Sequence, residues 1–185
     1  MAGTGRATAG VRGKIAVVLI GLGGNLAGAQ GQPVTATLAE ALAALNAEGV
    51  TVVRQSRWYR SAPVPVSGQP WFTNGVAAVT TALSPEQVLT ALLATEAKLG
   101  RHRTVPNAAR PVDLDLLAYD ERVLAAPGLA IPHPRMHTRA FVLLPLADVA
   151  PGWRHPVLGR TVEELIAALP PGSAAEPELG ETGRT

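Results

Sequence analysis

The order of apolar segments along the chain predicts an α+β fold. It is a ferredoxin-like βαββαβ sandwich, an antiparallel sheet with helices on one face plus further helices at the C-terminal end. Three observations carry this. Short β-branched runs are interleaved with two longer segments whose apolar residues recur at three- and four-residue intervals. The strand-like runs come as one, then two together, then one. No apolar run approaches a membrane span, the longest being residues 15–20.

The elements follow in order. Residues 15–20, IAVVLI, are short, β-branched and stopped by glycine, the signature of a buried strand. The glycines of the following GLGGN are expected to let the chain turn sharply, with Asn25 in a turn conformation. Pro33 opens a helix whose apolar residues are Val34, Leu38, Leu42 and Leu45, and Gly49 ends it. Residues 50–59 and 72–81 have strand composition. The SAPVPVSGQP between them, with three prolines and a glycine, reads as a stiff extended loop. Ser84-Pro85-Glu86-Gln87 combines a capping serine, a proline at the first helical position and the glutamine of a capping box. The helix it starts carries Val88, Leu89, Leu92, Leu93 and Leu99 on one face and stops at Gly100. A basic loop leads into a strand over 111–119, a helix over 138–149 despite Pro145, and a short closing helix over 161–169. Residues 13–169 are thus the working domain, with disordered tails expected at 1–12 and 170–185.

The composition narrows the function classes. The 185 residues suit one domain with a sizeable core. There is no cysteine, which removes disulfides, thiolate metal sites and a cysteine nucleophile and fits a reducing, cytoplasmic location. The net charge of +2 is too small for nucleic-acid binding by bulk electrostatics. The opening MAGTGRATAGVRG lacks the apolar run of a secretory signal, and neither nucleic acid nor membrane is expected as a partner.

The glycine-rich stretch stands where nucleotide-binding proteins keep a phosphate loop, but it fails both standard patterns. Leu26 occupies the third glycine position of G-x-G-x-x-G, and Ala29-Gln30 stand where a P-loop needs Lys and a hydroxyl. A stronger signal is Arg110-Pro-Val-Asp113-Leu-Asp115. On a strand the two carboxylates share one face, about 7 Å apart, while Val112, Leu114 and Leu116 face the core. Such a pair suits magnesium completed by water and phosphate, although a solvent-facing acidic stripe has the same spacing. Arg101, His102, Arg103 and Arg110 crowd the approach, and His133, Arg135 and Arg139 add cations downstream. Guanidinium forks bind polyphosphate bidentately, so the combination reads as a magnesium–polyphosphate site.

Taken with GLGGN, SRWYRSAPV at 56–64, FTNGVA, EAKLGRHR, R-x-x-DLDLL and IPHPRMHTRAFVLLPLADVAP, these residues give a chain that resembles the 6-hydroxymethyl-7,8-dihydropterin pyrophosphokinase family. The similarity spans about 15–169. It implies an enzyme of folate biosynthesis that transfers diphosphate from ATP to the pterin's hydroxymethyl group and releases AMP. It also implies a ferredoxin-like fold and a pair of Mg2+ ions on Asp113 and Asp115. By the same resemblance Arg101 and Arg110 stabilise the transferring group, Asp113 contacts the substrate hydroxyl, and Glu96, Arg103, His133 and Arg139 bind ATP. The pterin then lies against Phe72 and Phe141, its amide edge read by Asn74, with Ser61, Ala62 and Val64 completing its site; core packing is the other reading of the two phenylalanines. No protein general base is assigned, the partners are the two small substrates, and a monomer is expected. Loops 61–71 and 101–110 are expected to close over ligand. Within GRHRTVPNAAR the chain departs from the family pattern at Pro106, Asn107 and Ala108-Ala109, and Pro134 follows the histidine where some relatives carry tyrosine.

Overall fold

The strand read as ending at Ile20 runs on to Gly24, straight through the glycine-rich stretch. In the computed structural model, which describes residues 16–101 and 108–178, β1 (Ala16–Gly24) pairs antiparallel with strands on both sides. Gly21, Gly23 and Gly24 are therefore ladder residues, none with positive φ, and the expected sharp turn is not there. Glycine serves close approach instead. A Cβ at Gly24 would lie 2.5 Å from the Pro111 carbonyl oxygen.

Among the described residues seven further strands are β2 (Val50–Gln55), β3 (Tyr59–Ser61), β4 (Phe72–Thr81), β5 (Asp113–Tyr119), β6 (Leu124–Ala126), β7 (Leu129–Ile131) and β8 (Glu176–Pro177). The main sheet runs β5-β1-β4-β3-β8, with β2 also paired to β4. With α1 (Val34–Ala47) and α2 (Pro85–Lys98) as crossovers, this is the ferredoxin-like arrangement. The capping box forms as read, Ser84 accepting from the Gln87 N–H while the Gln87 side chain accepts from the Ser84 N–H.

The structure departs from the sequence reading at three further places. The single strand expected over 50–59 breaks into β2 and β3. At the break Ser56 exchanges backbone and hydroxyl hydrogen bonds with Val76, and the Trp58 ring lies against Gly75, where a Cβ would meet it at 2.8 Å. The helix expected from Thr138 begins at Ala140 (α3, Ala140–Val149), after a 3-10 turn at Met136–Thr138. Lastly, the chain from Pro170, read as a tail, returns to the sheet, where β8 covers the outer edge of the three-residue β3. The stretches 1–15 and 179–185 lie outside the described residues.

The strands alternate between two cores. Val18, Ile20 and Leu22 of β1, Ala77 and Val79 of β4, and Leu114 and Leu116 of β5 pack with α1 and α2. Leu19, Val76, Ala78 and Leu117 face α3 and α4 (Val162–Ala167) on the opposite side. The C-terminal helices thus cover the second face, where α3 lies across the sheet. Gly21, Gly23, Asp113 and Asp115 alternate onto this same face.

Candidate active site

The α3 face carries a cavity of about 990 Å³ that runs across the sheet. Its floor is β1, where Gly21 and Gly23 present no side chains. Register sets Asp115 directly opposite Gly21 and Asp113 opposite Gly23, while Asn74 of β4 flanks Gly23 from the other side. The glycines are what open the space between the carboxylates and the amide. A Cβ at Gly23 would sit 3.5 Å from Asn74 Oδ1 and 3.9 Å from Asp113 Cβ, filling it.

Cations collect at the β5 end. Arg110 and Arg101 both form ion pairs with Asp113, and Arg101 also pairs with Glu96. Glu96 is only 2% exposed and accepts from the Leu114 N–H at 2.7 Å, so it anchors Arg101 to β5. Arg110, Arg135 and Arg139 line the cavity wall, whereas Arg101, Glu96 and His133 lie outside its lining. Burial raises the Asp115 carboxyl above the usual range, with the charge of Asp113 adding to the effect and the nearby arginines opposing it. Burial, then Arg139 and Arg135, push the His133 imidazole down. His133 is thus neutral near pH 7, and its Nδ1 accepts from the Arg135 N–H at 3.2 Å. Arg103 lies outside the described residues.

The opposite end is apolar and aromatic. Phe72 and Phe141 both line the cavity and are half-buried, and Phe141 also packs against the core under α3. Each is capped by a guanidinium, Arg110 at 5.2 Å from the Phe72 ring centroid and Arg139 at 5.4 Å from that of Phe141. Asn74 is buried, and its Nδ2 donates to the Ser61 hydroxyl at 3.0 Å, which fixes the orientation of the amide. Ala62 and Val64 complete the wall, Val64 being 78% exposed.

Ten of the residues given a site role from the sequence therefore meet in one cavity, and Arg135, read from the sequence only as one of the downstream cations, joins them. Sequence reasoning missed two contributors. Asn25, 4% exposed, ties two loops together: its Oδ1 accepts from the Arg110 N–H at 2.8 Å, and its Nδ2 donates to Gln69 Oε1 and the Pro70 carbonyl. The segment 171–176 supplies a wall for which no local sequence signal existed.

Among the described residues no group of three or more His, Cys, Asp or Glu could hold a metal. The aspartate pair nevertheless fits a hard cation that takes its remaining ligands from phosphate and water. It offers only carboxylate oxygens, and ionising Asp115 beside Asp113 is costly without added positive charge.

The model of the family described as 7,8-dihydro-6-hydroxymethylpterin-pyrophosphokinase matches residues 19–151. A 2-amino-4-hydroxy-6-hydroxymethyldihydropteridine pyrophosphokinase of Synechocystis is 43% identical over 149 residues, 80% of this chain and 73% of the relative. The enzyme of the same name from Pseudomonas aeruginosa is 47% identical over 119 residues, 64% of this chain and 73% of that one. Among solved structures, a triple mutant of Plasmodium falciparum HPPK-DHPS superposes with a TM-score of 0.67 at 15% identity, which bears on the fold alone. That match covers 85% of this chain and 45% of the solved one, so this chain spans less than half its length. Fold and sequence similarity agree: the chain belongs to the 7,8-dihydro-6-hydroxymethylpterin-pyrophosphokinase family.

Proposed function

We propose that this cavity transfers the β,γ-diphosphate of ATP to 6-hydroxymethyl-7,8-dihydropterin, giving AMP and the pterin diphosphate for folate biosynthesis. One observation carries the reading: a single cavity has a carboxylate–arginine end on β5 and an aromatic–amide end on β4 and β3. A polyphosphate suits the first and a flat heterocycle the second.

In this reading the hydroxymethyl oxygen forms a bond to the β-phosphorus while the bond from that phosphorus to the bridging oxygen of AMP breaks, and the hydroxyl proton is released. Two Mg2+ ions held by Asp113 and Asp115 supply charge neutralisation of the triphosphate when bound. Arg110, Arg135 and Arg139 grip phosphate oxygens from the cavity wall, and Glu96 holds Arg101 against Asp113 until phosphate competes for it. Arg103, by the resemblance to the family, adds a nucleotide contact. Neutral His133 is suited to a hydrogen bond with the nucleotide rather than to an ion pair. Phe72 and Phe141 sandwich the pterin, and Asn74, oriented by Ser61, reads its amide edge. Ala62 and Val64 close the side. The protein is proposed to act as a monomer in the cytoplasm, where ATP is abundant.

Incubation with ATP, Mg2+ and the hydroxymethyl dihydropterin tests this. AMP and pterin diphosphate should appear in equal amounts, and their absence would overturn the assignment. Asp115→Ala should lower turnover by about 10²–10³-fold, the scale of removing one preorganised electrostatic group, without unfolding the protein. Full activity in that variant would refute the role of the carboxylate pair.

A further inference from the structure

Past α4 the chain folds back on itself. β8 pairs with β3, Glu176 opposite Arg60 and Pro177 opposite Tyr59, and the Glu178 N–H donates to the Trp58 carbonyl at 2.8 Å. This return lies wholly outside the stretch matched by the family model, which ends at residue 151. Yet Gly172, Ser173, Ala174 and Glu176 line the same cavity as Phe72 and Asn74.

The strand order says which end of the cavity they serve. From β5, with its carboxylates, to β8 is four inter-strand steps, about 19 Å at roughly 4.8 Å each. The segment is therefore remote from the phosphate end and adjoins β3, whose Ser61 orients Asn74. It also bears on the rim, because Arg60, opposite Glu176, stacks on the Trp71 ring at 5.4 Å and both residues line the cavity. Three of the segment's lining residues, Gly172, Ser173 and Ala174, are small, so they bound the space while taking up little of it.

We propose that residues 171–176 are a wall of the heterocycle end of the cavity and set the affinity and size limit of the pterin site. The inference rests on the functional reading above. It assigns binding specificity to a segment beyond the family match.

Calorimetry on the full chain tests it, with 6-hydroxymethylpterin and α,β-methylene-ATP titrated separately. Ala174→Trp should weaken pterin binding roughly tenfold and change nucleotide binding by less than about twofold, as expected for bulk added to one subsite. Glu176→Pro, which disfavours pairing with β3, should act in the same direction and serves as the arbiter if Ala174→Trp disturbs folding. A parent chain that binds both ligands, with pterin affinity unchanged in the variants or both ligands weakened equally, overturns the wall alone. A parent chain that binds neither overturns the functional reading and this inference with it.

Discussion

Two adjacent glycines show how differently one residue type can be constrained within a single strand. At Gly24 an added methyl would meet the Pro111 carbonyl oxygen at 2.5 Å and a Val34 methyl at 3.0 Å, and the first of these is backbone. Gly24→Ala should therefore destabilise the protein by about 1–3 kcal/mol, the usual cost of overpacking. At Gly23 the nearest atoms are at ordinary contact distance, so Gly23→Ala should leave stability unchanged or slightly raised. Its methyl would nevertheless stand on the cavity floor between Asp113 and Asn74, and kcat/KM should fall about tenfold or more. Urea denaturation and steady-state kinetics on the pair would check this, and parallel losses of stability and activity in both variants would contradict it. The same residues explain what the local sequence hid. A run of glycines after a β-branched stretch signals a stop when only neighbours along the chain are considered. What keeps β1 extended is its two flanking strands, β4 and β5, which are distant in sequence. The aspartates were legible for the opposite reason: their two-residue alternation is a property of one strand alone.

Among the elements, α3 is docked to the sheet by a clasp at its C-terminal end. Asp148 accepts from the Arg57 backbone N–H, from its guanidinium at 2.9 and 3.1 Å, and from the Tyr59 hydroxyl at 3.0 Å. Burial pushes the Asp148 carboxyl up, but the hydrogen bonds and charge of Arg57, with the Tyr59 hydroxyl, outweigh it and hold it below its ordinary value. A depressed carboxyl adds stability that is complete above its unfolded value and is lost as pH falls through its folded one. Asp148→Asn should thus cost about 0.5–1 kcal/mol near pH 7, given the exposure of Arg57. The gap from the parent protein should close as the pH drops below the ordinary carboxylate range. Denaturation midpoints at pH 7 and pH 3 would show it, and a gap independent of pH would exclude an ionic clasp. Elements differ in how far the sequence reveals them. The start of α2 was legible because proline, serine and glutamine form a local cap. β8 was not, because Glu-Pro within a Pro- and Gly-rich stretch has no strand propensity and is extended only by the exposed edge of β3.

Across the whole molecule, one sheet separates two cores, and the cavity opens on the α3 side of it. Leu38 of α1 lies in the core on one side of the sheet and Leu143 of α3 in the core on the other, and both side chains are fully buried. Arg139 and Phe141, just ahead of Leu143 in the chain, enter the cavity from the start of α3. α1 contributes nothing to the cavity lining. Truncating either leucine to alanine should cost a similar 2–5 kcal/mol, the range for a buried leucine that leaves a void. The functional outcomes should diverge. Leu143→Ala lets the start of α3 shift against β4 and should raise KM for the pterin about tenfold, because small displacements of positioning groups are costly. Leu38→Ala should leave KM within about twofold of the parent at a temperature where the variant remains folded. Chemical denaturation fixes the stability of each variant, and kinetics well below the unfolding transition then report the site alone. Equal KM shifts in the two variants would mean that the faces of the sheet are coupled and that the site does not depend selectively on α3.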